Sequence, residues 1–142
     1  MADTSAGFRF RYRECGYPAT IQYLTCQGTE TLSKGDIVTL DTGEIDLAAT
    51  ADTALLGIVL ETKSGTDSTT VYAVIVDEDA VYGVYDANAR VKGATLDVAG
   101  ATGAMTVATS SNKEFVVVEA STASEETLVR FNIGKHVDNV AL

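Results

Sequence analysis

An aromatic residue alternates with an arginine throughout the stretch Phe8-Arg9-Phe10-Arg11-Tyr12-Arg13. In an extended chain, Phe8, Phe10 and Tyr12 lie on one face and the three arginines lie on the other. A helix of the same sequence has no coherent apolar face. The alternation therefore predicts a β-strand near the start of the chain.

The next segment, Gly16-Tyr17-Pro18, interrupts this pattern. Pro18 lacks an N–H and pushes Tyr17 toward extended geometry. We expect an extended N-terminal arm over residues 1–18, joined here to a single β-domain over residues 19–142.

Strand signals continue to the end of the chain. Eight further stretches are short, rich in Val, Ile, Tyr and Thr, and separated by Gly, Asp, Asn and Ser, as is typical of strands. They cover residues 20–26, 36–40, 55–61, 70–76, 81–85, 89–98, 115–119 and 127–133. Their spacing predicts an all-β fold, a compact, β-tulip-like barrel or sandwich. Residues 46–53 fit a short helical turn, and residues 99–109 a long loop or a weak edge hairpin.

Composition limits the function classes. The chain has 142 residues, 46% hydrophobic residues and a net charge of −10, which suits one folded domain. Residues 1–14 carry three arginines against Asp3 and Glu14, so the acidic charge lies in the rest of the chain. An acidic body disfavours nucleic acid and anionic membranes as partners. The first residues lack the basic and apolar parts of a secretory signal, so we expect synthesis in the cytosol.

One tripeptide raises the question of catalysis. Asp41-Thr42-Gly43 follows an apolar run, as in aspartic proteases, in which two such turns share one proton between their carboxylates. Glu44 stands where that family has a small residue. Asp-x-Gly is also ordinary hairpin chemistry. We therefore predict a hairpin turn and no enzymatic activity.

The other reactive residue types form no recognisable site. Asp77-Glu78-Asp79 lacks the spacing of a calcium loop, which favours a solvated turn. The single histidine, His136, has no partner in a catalytic context and is predicted to be an exposed tail residue. Cys15 and Cys26 are predicted to be reduced thiols. We expect no cofactor and no metal.

The arginine-rich segment allows two interpretations. Basic residues interleaved with aromatics can bind single strands of nucleic acid, but three arginines are few and the acidic body opposes it. One interpretation is an ordinary edge strand with an exposed arginine face. The other is docking onto a protein partner by strand addition, and these two stay open.

Two stretches resemble a known family, the capsid decoration proteins of tailed phages. They are Lys34-Gly35-Asp36-Ile37-Val38-Thr39-Leu40-Asp41-Thr42-Gly43 and Ala51-Asp52-Thr53-Ala54-Leu55-Leu56-Gly57-Ile58-Val59-Leu60. In such proteins a segment of this kind starts a β-domain, forms a variable hairpin and returns. Residues 76–82, 86–89, 93–98 and 111–119 are similar to a recurring phage structural pattern.

The resemblance implies an accessory protein on the outer surface of the virion, bound to the major capsid protein as a homotrimer at local three-fold positions. Charge and alternation, rather than the resemblance, suggest capsid binding by Phe8, Arg9, Phe10, Arg11, Tyr12 and Arg13. The alternative is a carbohydrate- or surface-binding β-module of a phage tail or fibre. Tyr72, Tyr82 and Tyr85 would be its candidate aromatics.

Overall fold

Eleven β-strands make up the regular structure of the computed structural model, which describes residues 7–27, 31–49, 54–63, 70–109 and 112–137. No α-helix occurs in these ranges. The strands are Arg9–Arg13 (β1), Ile21–Thr25 (β2), Ile37–Asp41 (β3), Glu44–Leu47 (β4), Leu55–Ile58 (β5), Val71–Ile75 (β6), Ala80–Asp86 (β7), Thr95–Ala99 (β8), Thr106–Thr109 (β9), Phe115–Val117 (β10) and Glu125–Phe131 (β11).

The strands form three antiparallel sheets. The largest has the order β1-β7-β11-β10-β8-β9, the second β4-β3-β5, and the third contains only β2 and β6. The all-β prediction is confirmed. The sheets pack as a sandwich and do not close into a barrel.

Stacked aromatic rings fill the main core. Phe115 lies between Phe8 and Phe131, with ring centroids 5.3 and 5.4 Å away, and Tyr82 meets Phe131 edge-on at 5.8 Å. These rings come from β10, β11, β7 and the residue just before β1. A second buried cluster, which includes Val38, Tyr72 and Val74, lies under the two smaller sheets.

The predicted division between an arm and a body is wrong for the described residues 7–18. Phe8 is only 2% exposed and belongs to the main core. Its N–H donates to the carbonyl oxygen of Gly35 at 2.8 Å, and β1 pairs with β7. The segment is part of the domain because the Phe8 ring is buried and β1 is hydrogen-bonded to β7. Residues 1–6 lie outside the described ranges.

Two local predictions change. Asp46 and Leu47, predicted to start a helical turn, belong to β4, which pairs with β3; residues 50–53 lie outside the described ranges. Strand β8 begins only at Thr95, since Ala94 N–H bonds the carbonyl of Val91 in a turn that precedes it. Of the two forms predicted for the region after β8, the structure has the edge hairpin, because β9 pairs with β8.

Candidate functional site

The predicted binding segment forms β1, an edge strand of the large sheet. Phe8 and Phe10 face the core, as the alternation predicts. The register then shifts between Phe10 and Tyr12, so Arg11 is an extra residue opposite β7. Tyr12 is 41% exposed. The bulge therefore separates a core-facing half of the segment from a solvent-facing half.

The first two arginines share one carboxylate. Arg9 Nη2 lies 3.1 Å from Glu126 Oε2, and Arg11 donates to both oxygens of Glu126, with 2.7 Å between Arg11 Nε and Oε1. Glu126 lies on β11, two strands away from β1. It reaches across because Gly83 on the intervening β7 has no side chain; a Cβ there would lie 2.4 Å from Glu126 Cδ. Hydrogen bonds from Arg11 and then Arg9 lower the pKa of Glu126.

The third arginine joins β1 to the turn between β6 and β7. Arg13 Nε donates to Asp79 Oδ1 at 2.8 Å, and its Nη1 lies 3.3 Å from Asp77 Oδ1. Asp77 also accepts the Thr20 N–H at 2.7 Å. Partial burial alone would raise the pKa of Asp79, but hydrogen bonds from Cys15 and Arg13 outweigh it and hold that pKa at about 2.

These contacts change the interpretation of the basic segment. All three arginines already pair with carboxylates of the same chain, so they are not free to grip acidic groups on a partner. The run Asp77-Glu78-Asp79 is a turn, as predicted. It is not a solvated one throughout, because Asp77 is buried beneath Arg13 and Thr20.

A different surface exposes apolar side chains. Strand β2 pairs with β6 so that Tyr23 lies opposite Ala73 and Thr25 opposite Val71. On the shared face, Ile21 is 47%, Tyr23 73% and Val71 37% exposed. None of the ten residues of β2 and β6 is charged. We call this surface, formed by Ile21, Tyr23, Val71 and Ala73, the β2 face.

The main-chain groups of β2 point to two sides, toward β6 and away from it. Val76 N–H donates to the Thr20 carbonyl, and Cys26 N–H donates to the Thr70 carbonyl. Even-numbered residues of β2 therefore face β6, and the N–H and C=O groups of Ile21, Tyr23 and Thr25 point the other way. At the end of this side, β4 runs beside the chain: Cys26 forms a parallel bridge with Ile45, and Gln27 N–H donates to the Ile45 carbonyl oxygen at 2.8 Å.

The sequence reasoning missed this surface although it carries a signal. Tyr23 and Leu24 are adjacent apolar residues in a strand, so both faces of β2 carry apolar groups, and a two-stranded sheet can cover only one of them. The tyrosines considered for the carbohydrate alternative lie elsewhere. Tyr72 and Tyr82 are fully buried and Tyr85 is partly buried.

The remaining candidates have structural roles. The Asp41-Thr42-Gly43 tripeptide is a hairpin turn, as predicted, with φ of 48° at Thr42 and 83° at Gly43 between β3 and β4. Cys15 is exposed and Cys26 is buried, and neither forms a disulfide.

His136 is not the exposed tail residue that was predicted. It is completely buried, with Nε2 2.9 Å from the Leu56 carbonyl oxygen and 3.0 Å from that of Val76. The reason is that its segment runs beside β5, where Leu55 N–H donates to the Lys135 carbonyl. His136 thereby ties the C-terminal part of the described chain to the two smaller sheets.

Across the described parts of the chain, no three His, Cys, Asp or Glu residues cluster as a metal site would require. No helix there has the length and apolarity to cross a membrane. No protein-family model matches the chain, and no curated protein sequence matches it.

Proposed function

We propose that the protein is a non-enzymatic capsid decoration protein that binds the outer surface of a tailed-phage head and stabilises the shell, as a homotrimer at local three-fold positions. The supporting observation is the sheet β4-β3-β5, which lies on the two resembling stretches. Residues 34–43 contain β3 and the turn after it, β4 completes the hairpin, and β5 returns to pair with β3. This is the order of strand, hairpin and return that the resemblance implies.

The charge distribution supports a protein partner. The net charge of −10 opposes binding to phosphate backbones and favours a neutral or basic protein surface. Decoration requires no catalytic group, and the carboxylates nearest the arginines are engaged in internal ion pairs.

Within residues 8–13, we limit the proposed capsid contact to the groups of β1 that are accessible from outside. Phe8 belongs to the core and cannot enter a groove on the shell. The outer main-chain edge of β1 and the exposed ring of Tyr12 are the parts that a capsid strand can reach. Main-chain pairing at such an edge provides affinity, and a side chain such as Tyr12 provides register.

The copy number in particles tests the function. Tailed-phage particles are purified from the strain that encodes the chain, and the protein is quantified by mass spectrometry against the major capsid protein. Comparable copy numbers support the proposal. Absence of the protein from particles contradicts it.

The contact is tested by co-sedimentation with heads that lack the protein. We expect Tyr12→Ala to bind at least about tenfold more weakly than the wild type, since a buried aromatic anchor typically contributes about 1–2 kcal/mol or more. Tyr17→Ala is the matched control, because Tyr17 is exposed and lies outside β1. If both variants bind heads equally well, Tyr12 of β1 does not contact the capsid. A glycan-binding screen covers the alternative: binding to glycans without binding to heads would favour the tail or fibre module.

A further inference from the structure

We draw no further inference here: the strongest candidate, the β2 face formed by Ile21, Tyr23, Val71 and Ala73, carries none, because nothing in the structure shows what covers this apolar surface.

Discussion

Strands β1 and β2 are both edge strands, and they differ in almost every property that matters for binding. Strand β1 is charged and bulged, follows a residue buried in the core, and has every arginine paired within the chain. Strand β2 is uncharged, pairs with β6 without a bulge, and exposes Ile21 and Tyr23. The segment with the most regular sequence pattern is therefore held within the fold, while the strand without such a pattern exposes apolar side chains.

The acidic composition explains this difference. In a chain of net charge −10, carboxylates of the same domain lie close enough to pair with the arginines of a basic segment. Glu126 reaches Arg9 and Arg11 across Gly83, and Asp77 and Asp79 receive Arg13. Strand β2 offers no charges and can gain only from backbone pairing and apolar contact.

The largest expected effect is the loss of stability when Phe8, the buried residue before β1, is replaced. We expect Phe8→Ala to lower the free energy of unfolding by about 3–5 kcal/mol, because the ring stacks on Phe115 in the main core and leaves a cavity. Urea denaturation measures this loss. Tyr12→Ala, in the exposed half of the segment, should cost less than about 1 kcal/mol. A Phe8→Ala variant as stable as the wild type would mean that the segment is a free arm after all.

A smaller effect is expected where Glu126 crosses β7. Gly83→Ala forces the carboxylate aside, because the new Cβ would lie 2.4 Å from Glu126 Cδ. Glu126→Gln keeps the shape and removes the charge. Both should lower the free energy of unfolding by about 1 kcal/mol, the usual contribution of a partly exposed ion pair with good geometry. The double variant should lose less than the sum of the two, and additive losses would show that Gly83 and Glu126 act independently.

The smallest effect concerns acid stability at the other end of β1. Asp79 has a pKa of about 2 in the folded chain against 3.8 for the unperturbed group. Its stabilising contribution is therefore complete above pH 3.8 and is lost as the pH falls through about 2. Glu126 acts in the same direction, because Arg11 and Arg9 lower its pKa. The free energy of unfolding should fall less between about pH 4 and about pH 2 in Asp79→Asn than in the wild type. Parallel curves for the two proteins would contradict this role.

The sequence predicts the strands well where the pattern is local. The alternation of residues 8–13 predicts β1, and Asp41-Thr42-Gly43 predicts the β3–β4 hairpin, because side-chain direction and turn chemistry depend on neighbouring residues. Strand β4 was missed because Asp46 and Leu47 have little intrinsic preference for a strand. Their conformation is set by pairing with β3.

The partners of the arginines and the burial of His136 could not be predicted in this way. Arg11 and Glu126 are 115 positions apart, and His136 lies 80 positions from Leu56. Such contacts depend on which strands become neighbours, which the local pattern leaves open. The exposed face of β2 could not be predicted for the same reason, since its exposure depends on β2 and β6 forming a separate two-stranded sheet.

Residue-resolved hydrogen exchange by NMR tests the contrast between the two edges most directly. The amides of Gln22 and Leu24 should be protected by β6, while those of Ile21 and Tyr23 should exchange rapidly. The amide of Phe8, which bonds Gly35 in the folded domain, should be protected. Rapid exchange at Phe8, together with protection of Ile21 and Tyr23, would contradict the account.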